Sequence, residues 1–334
     1  MVAPQAFLRD RVAAIYQKTG TVRNGDQVEV LEKGRRWLRV RTKNGDEGWI
    51  EQYNLVGQDV FDAFQKMSRD TASRPAQARA ILRNDFRLHI TPGRDTEKLF
   101  LLKDGSKVEL IERATVPRSG AIAQAEPEET KTASQSSSAQ AGKTKPAIKG
   151  KPIKAKDLEA LLPDVAMDDW WLVRDDQHHA GWVQARYLDL DVPLEVAQYA
   201  EGQRIVAFYV LTEVEDPQAD RPDKKVPYYL VLFTPAKDGY PFDYDQIRVF
   251  SWNVKKHRYE TAYRERNLFG MLPVSVGKQE FEKEGVLPIF TVHVKENGNT
   301  VERKYKLNGV IVKRAAEPGE QGVVAAQSGR RTSR

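Results

Sequence analysis

Through the first 57 residues apolar and polar positions alternate with a period of two, the spacing of a strand with one buried face. Val28-Glu29-Val30 and Leu38-Arg39-Val40 carry it most clearly. Lys33-Gly34-Arg35 and Lys43-Asn44-Gly45-Asp46 divide these runs. Asn-Gly is hairpin chemistry, because both residues tolerate positive φ. Residues 58–82 change period. Val60, Phe61, Phe64 and Met67 are spaced as on one helix face, and Ala76, Ala78 and Ala80 are good helix formers, with Pro75 interrupting. One or two short helices are expected there, with Phe61 and Phe64 packed on a neighbouring β unit. Strand spacing returns at Phe86-Arg87-Leu88-His89-Ile90 and again at 99–102 and 108–111. Between 197 and 314 the pattern predicts seven strands, at 204–212, 227–234, 245–252, 257–263, 272–276, 288–295 and 301–307. Short turns and no long helical period point to an antiparallel meander, closed as a sandwich or barrel.

One stretch is written twice. Its first copy is Gly25-Asp26-Gln27-Val28-Glu29-Val30-Leu31, then Trp37-Leu38-Arg39-Val40-Arg41, Gly48-Trp49-Ile50 and Tyr53-Asn54-Leu55. Its second is Gly105-Ser106-Lys107-Val108-Glu109-Leu110-Ile111, then Trp170-Trp171-Leu172-Val173-Arg174, Gly181-Trp182-Val183 and Tyr187-Leu188. Val40 to Trp49 and Val173 to Trp182 are both nine residues, and each Trp precedes its closing Leu by six. Val28 to Trp37 is nine residues but Val108 to Trp170 is 62, so the second copy carries an insertion of 53. A repeat defines structural units before any element is assigned. The expected organisation is a barrel at 1–57, a helical linker at 58–82, a second barrel at 83–191 holding an insertion near 117–156, a β-domain at 197–314 and a disordered tail at 315–334.

At these residues the sequence resembles the bacterial SH3-like domain family, whose pattern runs G-x-x-V-x-V, W-x-x-V-R, a turn, G-W-[VI] and Y-L. The likeness covers residues 7–56 and 84–190 without the insertion, under half of the chain. It implies two small barrels of five or six strands and a role in binding, often at the bacterial cell wall. The stretch before Gly25 departs from the pattern, leaving the first strand of copy one unassigned. Residues 197–314 resemble no characterised family. The fold class expected is therefore mainly β.

Composition narrows the function. Among 334 residues there is no cysteine, which excludes disulfides, thiolate metal sites and cysteine nucleophiles and fits an oxidising compartment. No apolar run reaches the ~18 residues of a membrane helix, and the first ten residues do not read as a signal peptide. The formal net charge is +6. Residues 117–156 hold +5 of it and the segment from Ala315 another +1, so the presumed folded parts are neutral. That distribution argues against specific nucleic-acid binding, which concentrates basic charge on the fold. The lysine-rich arm is suited to non-specific contact with anionic polymers or lipid. Its Gln135-Ser136-Ser137-Ser138-Ala139 run is expected to be disordered.

The candidate ligand contacts are Trp37, Trp170, Tyr187, Trp49, Tyr53, Trp171 and Trp182, since aromatic rings with a polar handle suit peptide or glycan recognition. The plainer reading of Trp49 and Trp182 is core. The groove reading suits Trp37, Trp170 and Tyr187, and requires at least one of these three to be exposed. His178-His179 falls in a predicted hairpin turn and reads as solvated rather than metal-binding. Asp168-Asp169, Asp175-Asp176 and Asp243/Asp245 read as solvated loop carboxylates. No nucleophile triad, phosphate loop or dinucleotide fingerprint is present, so neither metal nor cofactor is expected. The expectation is a non-enzymatic binding or scaffold protein of the bacterial envelope, periplasmic or extracellular, recognising a peptide, peptidoglycan or an envelope protein. The alternative is a cell-wall enzyme with its site in the C-terminal β-domain, drawn from residues such as Tyr228, Asp243, Asp245, His257 and Glu260.

Overall fold

The computed structural model describes residues 1–118 and 161–315. Most of the lysine-rich insertion and of the C-terminal tail lies outside the described residues. The chain is mainly β, arranged in three antiparallel sheets with few helices.

The first sheet holds β1 (Gln5–Arg9), β2 (Lys18–Arg23), β3 (Val28–Lys33), β4 (Trp37–Thr42) and β5 (Glu47–Glu51). Its order is β2-β1-β5-β4-β3. The period-two pattern does what the sequence predicts. Leu38, Val40 and Ile50 turn inward with Leu8 and Val22 to form a small core, while Trp37, Arg39, Arg41, Glu47, Trp49 and Glu51 share the outer face. The unassigned first strand is β1, paired to β5 at Arg9 and Trp49.

Helix α1 (Gln58–Thr71) follows, and Phe64 is buried edge-on against Phe100 at 5.7 Å. The expected helical run at Ala76, Ala78 and Ala80 is instead β6 (Ala78–Leu82). Ala78, Ala80 and Leu82 point inward and Arg79 and Ile81 outward, so burial on one face overrides alanine's helix preference.

The second sheet adds β7 (Phe86–His89), β8 (Lys98–Leu102), β9 (Lys107–Pro117), β10 (Met167–Arg174), β11 (Ala180–Gln184) and β12 (Leu188–Leu190). Its order is β12-β6-β9-β10-β11-β7-β8. Five of its strands, β8-β7-β11-β10-β9, repeat the order of the first sheet. The registers agree residue by residue. Trp37 pairs with Glu51 and Trp170 with Gln184; Val40 pairs with Gly48 and Val173 with Gly181. Each sheet carries a one-residue bulge at the same place, Leu31 in β3 and Ile111 in β9. The His178 turn likewise reproduces Gly45, with φ of 65° against 88°.

The third sheet is a meander of β13 (Arg204–Glu215), β14 (Lys225–Thr234), β15 (Tyr244–Asn253), β16 (Arg258–Phe281), β17 (Gly285–Glu296), β18 (Asn299–Asn308) and β19 (Ile311–Arg314), in that order. It bends over itself, bringing β13 against β16 and β17, while its first and last strands, β13 and β19, pair with β14 and β18 and not with each other. Two strands expected at 257–263 and 272–276 are one 24-residue strand, β16. The segment between them keeps extended backbone through an irregular stretch around Met271–Ser275.

The second and third sheets share one apolar core, running from Leu88 and Val183 to Leu230 and Phe290. A buried polar network crosses the same junction. Arg113 donates to Asp169 at 2.7 Å, to Asp243 at 3.3 Å and to the Phe242 carbonyl at 2.7 Å, and Arg204 reaches Asp169 at 3.0 Å. Gln77 joins in, its Oε1 accepting from the Tyr209 hydroxyl and the Val274 amide. Asp168, Asp169, Asp243 and Asp245 are therefore buried, not solvated as the sequence suggested. Asp168 is held by Arg94 and Arg118. Burial alone would raise the Asp169 carboxyl, but Arg113 outweighs it and the group lies below the usual range. Asp243 is pushed up by burial, and Asp245 up to about 6 by the same cause. Asp175 caps the β10–β11 turn, accepting from the Gln177 and His179 amides.

Replacing Asp169 with Ala strands Arg113 without its main counter-charge in a site 5% exposed, and the expected loss is about 3–5 kcal/mol by urea unfolding at pH 7. Because the folded pKa is depressed, this contribution is present above the unfolded value near 4 and disappears as pH falls through the folded one. The gap between wild type and Asp169→Ala should accordingly close on acidification.

Candidate binding surface

The Gly-Trp step builds the outer face of the first sheet. A Cβ on Gly48 would lie 2.7 Å from the Leu8 Cβ and 2.9 Å from the Arg9 carbonyl. Only glycine lets β1 lie this close to β5. The next residue, Trp49, then faces out beside Arg9. Gly181 does the same for β7, where an added Cβ would meet Leu88 at 2.6 Å, and Trp182 pairs with His89. Arg9 and His89 thus hold equivalent places, as do Trp37 and Trp170, and Trp49 and Trp182.

The two faces differ sharply in exposure. In the first unit Trp37 and Trp49 are half-buried and Tyr53 is 76% exposed, so the exposed ring of the face is Tyr53 and none of Trp37, Trp170 and Tyr187 is exposed as the groove reading required. The Arg9 guanidinium sits 4.0 Å from the Tyr16 ring centre and 4.6 Å from that of Trp37, within cation–π range. Trp49 reaches over the β3–β4 turn towards Gly34. A hydrogen bond to Glu51 raises the Tyr53 phenol. Along the same face, Arg39 and Arg41 both pair with Glu47, and Arg41 also with Glu29. One end of the surface is thus a closed ion-pair lattice and the other an open aromatic cluster around Arg9.

In the second unit the corresponding face is core. Trp170 is 1% exposed, and Trp182 and Leu172 are buried with it beneath Ile111, Phe86, Met67 and Val116. Trp171 faces the opposite way, into the main core. His89 stands 4.9 Å from the Trp170 ring centre. Its Nδ1 donates to the Gly93 carbonyl at 2.7 Å, and burial lowers its pKa to about 4, so the ring is neutral near pH 7. Trp170 and Trp182, candidate contacts from sequence, are therefore packing residues. Tyr187 is half-buried and 4.9 Å from Phe86. It is not the counterpart of Tyr53. Both units end in a short 3-10 turn, and Tyr53 matches Arg186 there while Tyr187 matches Asn54. Tyr16 and Arg9 were missed from sequence because only the folded β1–β2 connection brings them to Trp37. The burial of the second face did leave a sequence signal: Leu172 stands where the first copy has Arg39, Ala180 where it has Glu47.

Of the residues proposed for an enzymatic site, Tyr228 and His257 meet through Trp252 and Asp216, while Asp243 lies in a separate network. Tyr228 donates to the Trp252 carbonyl, Asp243 belongs to the Arg113 network, His257 bonds Asp216 at 2.7 Å, and Glu260 accepts from Asn253 and Lys256. His178 and His179 lie in the β10–β11 turn, with His179 bonded to Asp175 and stacked on Phe100. No group of three or more metal-ligating side chains is present among the described residues.

Compared with known families, residues 5–56 match the bacterial SH3 domain and residues 127–189 match the GW (Gly-Tryp) dipeptide domain. The second match takes in β10, β11 and their Gly181-Trp182 step, with residues 127–160 outside the described part. It differs from the second bacterial SH3 copy expected at 83–191. Both kinds of domain are typical of cell-wall-binding modules. No curated protein matches the chain. No helix among the described residues is long and apolar enough to cross a membrane.

The contrast between the faces predicts their stability cost. Trp170→Ala should lose about 3–5 kcal/mol by cavity formation. Trp37→Ala, on the open face, should lose about 1 kcal/mol, and urea unfolding of the two variants measures both.

Proposed function

We propose that this chain is a non-enzymatic binding protein of the bacterial cell envelope, periplasmic or extracellular. Its first barrel recognises a wall peptide, peptidoglycan or an envelope protein through Trp37, Trp49 and Tyr53, with Tyr16 and Arg9. On this reading residues 83–191 are a second, interrupted SH3-like barrel whose equivalent face has become structural. It anchors the β-domain at 197–314. The lysine-rich arm adds non-specific attraction to anionic wall polymers.

The observation that carries the reading is the difference between equivalent positions. Burial explains Trp170 and Trp182, but it does not explain two half-exposed tryptophans and an exposed tyrosine gathered around one arginine. Clustered surface aromatics with arginine are the composition of recognition surfaces. The domain matches at 5–56 and 127–189 support a wall-binding role in kind. The separate settings of Asp243, in the Arg113 network, and His257, on Asp216, favour binding over catalysis.

Sedimentation with purified peptidoglycan, and capture on immobilised envelope protein, test the proposal. Wild type should be retained on one of them. The double variant Trp37→Ala/Trp49→Ala should lose about tenfold or more of that retention while keeping its unfolding midpoint within a few degrees. Failure of wild type to bind either material contradicts the proposal.

A further inference from the structure

Arg9 is a cation of the open face with no counter-charge among the described residues, and its neighbour Lys18 lies over the Phe7 ring. Its guanidinium makes neither a hydrogen bond nor an ion pair with any described residue. Its neighbours on the face are committed: Arg39 and Arg41 to Glu47 and Glu29, Glu51 to Tyr53. The Tyr16 and Trp37 rings, at 4.0 and 4.6 Å, hold the guanidinium in place. A guanidinium stacked on rings still carries five N–H donors along its edge, in a fixed planar fork. The planar group that fits such a fork with two parallel hydrogen bonds is a carboxylate.

The second unit shows what a closed version of this position looks like. There His89 replaces Arg9, and its ring nitrogen is satisfied internally by the Gly93 carbonyl and the Thr96 hydroxyl, at 2.7 and 2.9 Å. The donor has been turned inward and the charge removed. In the first unit the donor is outward, charged and free.

We infer that Arg9 reads a carboxylate of the ligand, and that the open face therefore takes a carboxyl-bearing wall peptide rather than a neutral glycan. This rests on the open face being the binding surface. The aromatic rings supply contact area at low entropy cost. Arg9 supplies the discrimination, because a carboxyl converted to an amide no longer accepts the charge-assisted pair.

The test uses the full chain and two preparations of purified peptidoglycan stripped of phosphate-bearing polymers. One is native, and the other has its carboxyl groups amidated with carbodiimide and ethanolamine. Wild type should bind the amidated material about tenfold or more weakly. Arg9→Gln should bind both equally, at the level wild type shows on the amidated one. Arg9→Lys, which keeps the charge but loses the fork, should fall between. Thermal unfolding of each variant checks that the fold is intact. Equal discrimination by wild type and Arg9→Gln overturns the inference, because the lysine-rich arm would then be the source. Equal binding of wild type to both materials, with loss in Trp37→Ala/Trp49→Ala, overturns it while leaving the binding surface standing. No binding of wild type to either material overturns both.

Discussion

A glycine at the crossing of two strands governs this structure. At Gly48 and at Gly181 the absence of a Cβ lets a second strand lie against the hairpin at a distance no other residue allows. That close approach fixes the register, places Leu8 and Leu88 in their cores, and turns the following tryptophan to the outer face. The bulges at Leu31 and Ile111 and the ion pairs Arg41–Glu29 and Arg174–Glu109 repeat around the same frame. One backbone constraint, used twice, yields two faces of the same register.

What the chain does with those faces then diverges. In the second unit β9 runs on to Pro117 and pairs with the start of β10, α1 closes from the side, and the outer face becomes core. This unit is welded to the third sheet by a shared apolar core and by Arg113, which holds Asp169 and Asp243 together. Two carboxylates buried side by side repel unless a cation lies between them, and Arg113 is that cation. Among the described residues, the first unit has no such neighbour on its outer face. It docks elsewhere, through Asn24, whose amide donates to the Leu99 carbonyl and accepts from the Leu101 amide, both at 2.8 Å. That side chain imitates a strand and occupies the free edge of β8, leaving the aromatic face uncovered.

The sequence made the frame legible and the surroundings much less so. Spacing alone located the Gly-Trp steps, the hairpins and the antiparallel meander, because period and turn chemistry are local, but it split β16 in two and missed β19. β1 escaped because Ala6 to Arg9 carries only one large apolar side chain inward, Leu8, beside the small Ala6. β6 escaped because alanine favours helix until one face is buried. The aspartates at 168 and 169 looked solvated because their arginine partners lie at least 35 residues away in the chain. Which tryptophan is open and which is closed was also hidden, since Trp37 and Trp170 share a register and differ only in what covers them. The change from Arg39 and Glu47 to Leu172 and Ala180 was the readable trace of that cover.

The account's central claim is that a ligand meets the first unit's outer face and not the second's. Amide hydrogen exchange of the full chain, with and without soluble peptidoglycan fragments, tests it most directly. Protection should appear in segments 7–18 and 34–53, which carry Arg9, Tyr16, Trp37, Trp49 and Tyr53, and exchange across 167–190 should be unchanged. Protection confined to 167–190, or to the third sheet, would contradict the account.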